Sequence, residues 1–395
     1  MKCLTLSSLT AIIVASMIGA PNSAYGFEGA TTHAGMTGNA ALASQLHRSL
    51  TQAGHPLGLF ELLKLDPSKA PRLSGYLHRL DPDGGFRPDE KFQQTALAWL
   101  IAGSALADIP DGARLNHYYT PQKGRDPRTK DRKTKGLANT STFTKFEGIP
   151  ALEWLQSKNN LQSLGRFYET WRKATQLADM PQARQHNRAM ALLALGGILH
   201  LLQDMAVPSH TRNDYAVGHF EKLGSSTFDR GSSFERLTGM LFGRLGIPSY
   251  KGPAIRFTRA ADFFSNKHHT GLADLTSRGT FSPGTLPRSV RLLSGVDLNK
   301  LRQTLTRSLP LPLPGLPLVD IVRAQKSVCY VKGPNHLLSA YSLDANDNLR
   351  FFLDRKVQIS VSRHVVPLAV GYSTAFIDFI LSRLPENGKN TAPGH

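Results

Sequence analysis

The chain has 395 residues, with 47 Lys and Arg against 29 Asp and Glu, a formal net charge of +18. So basic a chain favours anionic partners: acidic lipid head groups, nucleic acid or envelope polyanions. It has two cysteines, Cys3 and Cys329; because Cys3 lies in a removable leader, an internal disulfide is excluded from the mature chain.

Residues 1–26 read as a secretory signal peptide. Lys2 supplies the positive start, 9–18 a mostly apolar stretch too short to span a bilayer, and Ala24-Tyr25-Gly26 small residues at the cleavage positions. Cleavage near Gly26-Phe27 would leave Phe27 as the N-terminus and an exported protein, periplasmic or secreted. Cys3 precedes the apolar stretch, too early for lipid attachment. An exported protein without disulfides needs a large core, bound metal or both for rigidity. No linker divides the remainder, so a single domain is expected over 27–386, with a flexible tail over 387–395.

Residues 90–107 carry Phe92, Ala96, Leu97, Leu100 and Ala105 in an amphipathic helical pattern. Residues 121–145, rich in Lys, Arg, Gly and Thr, read as a loop. Pro150 suits the first turn of a helix continuing through Ala151-Leu152-Glu153-Trp154. Leu161, Leu164, Phe167 and Trp171 repeat at helical spacing. A long helix is expected over 181–206, polar early and apolar late, and another over 234–245. Leu and Pro alternate over 309–318, an extended polyproline-like run. Only Val357, Ile359 and Val361 alternate like a strand. Residues 365–384 form a strongly apolar helix, read as core because Pro367, Gly371 and Asp378 interrupt it. The expected class is all-α: one multi-helix domain with long irregular loops and no internal repeat.

The most informative segment is 196–210, where His200, Asp204 and His210 form an H-x3-D-x5-H pattern in an otherwise apolar helix. His200 and Asp204, four apart, project from one helix face. Buried there, both need partners. Two readings satisfy them: a His–Asp pair bonded to each other, or a metal ion binding neutral imidazole and carboxylate together. Further donors lie elsewhere. His33 follows Thr31-Thr32; Asp108 and His117 bracket a segment ending Asn116-His117-Tyr118-Tyr119; His219 and Glu221 sit in Gly218-His219-Phe220-Glu221. Each alone reads as an ordinary core or surface residue. Cys329 reads as a core residue.

Taken in order, these motifs resemble the superfamily of zinc-dependent phospholipases C and single-strand-specific nucleases. The H-x3-D-x5-H segment ending Val-Pro-Ser-His is the specific part, and the motifs cover 27–221. The resemblance implies an all-helical domain around three zinc ions. One zinc would be held by Asp108, His117, His200 and Asp204. A second would take the Phe27 amine and carbonyl, His33 and the other oxygen of Asp204. The third would take His210, Glu221 and His219. Asp204 would be the bridging carboxylate, and Asp108 would orient or deprotonate an attacking water, making these two the catalytic carboxylates.

The chain departs from the family twice. Phe27 stands where Trp is common, although the amine does the ligating. The closing pair is often spaced H-x3-E, but Val217 stands four before Glu221, and His219 and Glu221 would oppose each other on a regular helix; Asp214 or Asp229 is the alternative to His219.

The resemblance implies an exported phospholipase C. It would hydrolyse glycerophospholipids such as phosphatidylcholine to diacylglycerol and a phosphorylated head group with metal-activated water. Its partner would be phospholipid at a membrane surface, reached through basic surface and apolar loops such as 309–318, with no obligate protein partner. One alternative is a zinc-dependent single-strand nuclease or nucleotidase, with Lys123, Arg125, Arg128, Lys130, Arg132, Lys133 and Lys135 on nucleic-acid phosphates. Another is a non-catalytic zinc- and membrane-binding protein.

Overall fold

The computed structural model describes residues 29–80, 92–110, 113–119, 148–177, 179–212, 214, 220–223, 226–229, 232–244, 248–286, 290–291, 320–323, 329–343 and 348–384. The leader, Phe27, the basic segment 121–145, His219, the Leu–Pro run 309–318 and the tail 387–395 lie outside these residues.

A tight turn over Gly29–His33 leads into α1 (Ala34–Ala43). Then come α2 (Leu46–Gln52), β1 (Leu62–Lys64), α3 (Pro71–Leu80), β2 (Gln93–Thr95) and α4 (Ala96–Leu106). The central helices are α5 (Ala151–Gln156), α6 (Leu164–Gln176), the 24-residue α7 (Pro181–Asp204) and the short α8 (Pro208–Thr211). A hairpin of β3 (Phe220–Leu223) and β4 (Ser226–Asp229) precedes α9 (Ser233–Leu241), α10 (Ala260–Phe264) and α11 (Leu272–Gly279). Then β5 (Val290–Arg291), β6 (Asp320–Arg323), β7 (Cys329–Lys332), β8 (Leu337–Leu343) and β9 (Asn348–Phe352) lead into α12 (Arg355–Ser382). The protein is mostly helical, but β5–β9 form one antiparallel sheet in the order β5-β9-β8-β7-β6.

That sheet departs from the all-α expectation. Its central strand β8 is buried on both faces at Leu338, Ser339, Ala340 and Tyr341, so no polar–apolar alternation announces it. The run that does alternate, Val357 to Val361, is helix. Val357, Val361, Val365 and Ala369 are all buried, an i, i+4 stripe along α12. Asp354 caps that helix, accepting from the Val357 N–H at 2.8 Å, and Pro367 sits inside without ending it. By length and composition α12 could cross a membrane; 56% of its apolar window is buried inside the protein.

The core is built on α4 against α7. All eleven residues of α4 are buried, so this helix is apolar all round and not amphipathic. Thr95 caps it, accepting from the Ala98 N–H at 3.1 Å. A Cβ on Gly103 would collide with the Leu193 backbone, and one on Gly196 with the Leu100 carbonyl. The two glycines therefore let the helix backbones touch. Gln162 locks the crossing, its amide donating to the Gly103 carbonyl at 2.6 Å and the Leu193 carbonyl at 2.8 Å. This close crossing brings the Ser104 carbonyl to the His200 ring.

Candidate metal centre

The C-terminal half of α7 is sealed in the core and carries His200, Gln203 and Asp204 on its last turns. Four other segments converge there. His33 ends the turn before α1. Asp108 and His117 follow α4. His210 lies in α8, and Glu235 in the first turn of α9. Every one of these side chains is buried.

Asp204 is the hub. Its Oδ1 lies 3.4 Å from His33 Nε2 and 3.4 Å from His210 Nδ1. Its Oδ2 lies 3.0 Å from His117 Nδ1 and 3.3 Å from His200 Nε2. Asp108 Oδ1 faces the second pair, 3.2 Å from His117 Nδ1 and 3.5 Å from His200 Nε2. Two overlapping triads have donor atoms all within 4.8 Å of one another: His33, His200 and Asp204, and Asp108, His117 and His200. Either triad can hold a metal ion.

Neighbouring bonds aim the rings. His200 Nδ1 pairs with the Ser104 carbonyl at 2.8 Å, which makes Nδ1 the protonated nitrogen and leaves Nε2 as the ligand atom. His33 Nδ1 pairs with Gln203 Oε1 at 2.8 Å, and Nε2 again faces Asp204. Gln203 is held in turn, donating to Thr37 Oγ1 at 3.0 Å and Ser373 Oγ at 3.3 Å. The His117 segment is pinned by Tyr119 N–H donating to the His210 carbonyl at 3.0 Å. Arg114 Nε donates to the Asp108 carbonyl at 3.1 Å, fixing the turn that carries Asp108.

The donor set suits a cation. The Asp204 Oδ2 and His117 Nε2 atoms, both buried, lack hydrogen-bond partners among the described residues. The His–Asp atoms thus converge on shared points more than they satisfy each other, which favours metal over a self-bonded pair. Burial alone would push Asp108 and Asp204 up. Against it act the His200 charge, joined by His210 at Asp204, and the closeness of the His117 and His200 rings, and both carboxyls stay well below the usual range. Burial would lower His200, but Asp108 and Asp204 raise it to about 10. The cluster demands positive charge between its carboxylates.

The residues expected to bind metal divide as follows. His33, Asp108, His117, His200, Asp204 and His210 come together. Phe27 and His219 lie outside the described residues. The Glu221 backbone belongs to β3, paired opposite Phe228, and its side chain lies outside the description. Asp214 is buried and accepts from the Gly284 N–H at 2.6 Å.

Glu235 is the residue that sequence reasoning missed. Its Oε1 lies 3.3 Å from His210 Nε2. Its Oε2 accepts from the Ser232 N–H at 2.5 Å, while its own N–H donates to Ser232 Oγ at 3.3 Å, a capping box. Ser232-x-x-Glu235 is the sequence pattern of a helix start, and nothing in it marks the second oxygen as facing a histidine. His210 Nδ1 pairs with the His117 carbonyl at 3.2 Å, so its Nε2 is the atom offered toward Glu235.

A cleft of about 810 Å³ lies elsewhere, lined by Leu42, Tyr250, Phe257, Val370 and Phe379 among others, and none of the cluster side chains borders it. Fold and site together define a mostly helical protein with buried His–Asp groups able to bind metal. No family model, curated protein or solved structure matches the chain.

Proposed function

We propose that this chain is an exported zinc-dependent phosphodiesterase, a phospholipase C acting on glycerophospholipids such as phosphatidylcholine at a membrane surface. The observation that carries the reading is Asp204. One of its oxygens faces His33 and His210, the other faces His117 and His200, and Asp108 stands across from it. A structural zinc site needs one closed set of ligands and no shared carboxylate. The order of these donors along the chain supports the resemblance drawn above.

In this reading Asp108, His117, His200 and Asp204 hold one zinc. His33 and Asp204 hold a second together with the Phe27 amine. His210 and Glu235 offer donors for a third, to which His219 and Glu221 would add. Zinc so bound would supply Lewis acidity toward phosphoryl oxygens and activate water for attack near pH 7. Asp204 fixes the spacing of the two donor groups. Asp108, anchored through Arg114, orients the attacking water and takes its proton. Ser104 and Gln203 face Nδ1 of His200 and His33 and turn each Nε2 toward Asp204.

The test is hydrolysis of phosphatidylcholine and of single-stranded DNA by the protein beginning at Phe27, with zinc, with chelator and with Asp204→Asn. Chelator-sensitive phosphocholine release that Asp204→Asn abolishes is the expected result. DNA cleavage without lipid cleavage would move the same site to a nuclease. Neither activity with zinc still bound would reduce the protein to a zinc-binding one.

A further inference from the structure

About 18 Å before His200 along α7, at 1.5 Å per residue, the same helix carries an opposite arrangement. Arg188 is fully buried. Its guanidinium carbon lies 3.8 Å from the Trp171 ring centroid, so one face of the group is stacked. The N–H donors point outward in the guanidinium plane, and none of them finds a partner: Nε, Nη1 and Nη2 all lack hydrogen bonds among the described residues. Two more nitrogens share this condition beside it, Arg184 Nε and His55 Nε2. Arg184 Nη1 comes within 3.3 Å of where a side chain on Gly54 would begin, next to His55 in the chain. The turn carrying His55 is fixed by its N–H donating to the Leu50 carbonyl at 3.1 Å and by Gly58 N–H donating to the His55 carbonyl at 2.7 Å.

A buried guanidinium without acceptors costs several kcal/mol and is normally paired. No carboxylate is among the charges that shift Arg188 or His55. Burial and then Arg184 lower Arg188 to about 9; burial, Arg188 and Arg184 lower His55 to about 4. The first turn of α7 has no acidic residue. Everything the cluster lacks is an acceptor with negative charge. The planar fork of an arginine matches the oxygens of a phosphate-like group two at a time.

We propose that Arg188, Arg184 and His55 Nε2 form a site for a small oxyanion of the phosphate or sulfate class, which ties the His55 turn to α6 and α7. This site is separate from the metal centre and does not depend on the proposed phospholipase reading.

The test uses the full metal-bound protein in an anion-poor buffer, with thermal melting followed as sodium phosphate, sulfate or chloride is added at constant ionic strength. Phosphate and sulfate are expected to raise the melting temperature in a saturable way, and chloride is not. Arg188→Met separates the possibilities by sign. Removing an unpartnered buried cation is neutral or stabilising, whereas removing an anion ligand destabilises. The variant should melt below the wild type in phosphate, match or exceed it in the anion-poor buffer, and show no phosphate response. Arg184→Gln, at a half-buried position, should keep the response with its midpoint raised about tenfold. The proposal fails if the wild type shows no phosphate response, if chloride acts equally, or if Arg188→Met responds like the wild type, which would place the anion at the metals or the surface.

Discussion

The two ends of α7 are electrostatic opposites. Its C-terminal end gathers Asp204 with Asp108 and Glu235 around histidines, and there His200 is raised to about 10. Its N-terminal half gathers Arg184 and Arg188 around His55, which is lowered to about 4. Burial lowers His55 and Arg188 and Arg184 lower it further, whereas Asp108 and Asp204 raise His200 against burial. Asp204, on the last turn, runs against the helix dipole, which favours cations at the C-terminus. Charges placed this way suit a cation at one end and, in the site proposed above, an anion at the other.

The largest expected effect tests whether the metal end depends on the α4–α7 crossing. Gly196→Ala drives a methyl into the Leu100 carbonyl and should destabilise the protein by about 3 kcal/mol or more, read as a urea midpoint. Gly75→Ala is its control. Nothing lies within 4 Å of a Cβ there, so that helical substitution should be stabilising by about 0.5–1 kcal/mol. If both variants melt alike, the crossing does not set the site.

Glu235→Gln keeps an acceptor for the Ser232 N–H and removes the charge facing His210. Zinc content by elemental analysis should fall while the far-UV spectrum is retained. A variant with full metal content would remove Glu235 from the centre. Gln203→Leu acts one step further out. It deletes the acceptor that orients His33 and should weaken zinc affinity about 10–100-fold, measured by chelator competition, without loss of the phosphate response at the other end.

A further effect appears only in acid, away from both ends. His336 donates from Nε2 to the Gly279 carbonyl at 2.8 Å and stacks on His364. Burial and then the His364 charge lower it to about 4, against an ordinary value of 6.5. Below pH 6.5 the unfolded chain takes a proton that the folded chain refuses until about pH 4. Its contribution, up to about 3 kcal/mol, is therefore complete above 6.5 and lost as pH falls toward 4. His336→Gln should flatten that part of the stability–pH curve. An unchanged curve would assign the acid sensitivity to other groups.

The helices were legible where periodicity and caps agreed. The 181–206 expectation matches Pro181–Asp204 to within two residues, whereas 234–245 starts one residue late, after the Ser232 capping box, and runs four residues past the observed end at Leu241. The last helix begins ten residues earlier than expected, at Arg355, because Asp354 caps it and Pro367 is tolerated within it. Pro150 proved to be the cap residue and not the first turn. The β5–β9 sheet was invisible because its central strand is covered on both faces.

Of the site, the sequence alone determined the donor types and the one spacing that is local, His200 to Asp204, since a helix places i and i+4 together whatever surrounds it. It also carried the glycines that let α4 and α7 touch. Only the tertiary structure decided which distant donors join. It brought His33, Asp108 and His117 to the end of α7, set Glu235 opposite His210, and enclosed Arg188 without an acceptor among the described residues. Such assignments depend on how helices far apart in the chain pack, and no local period records that.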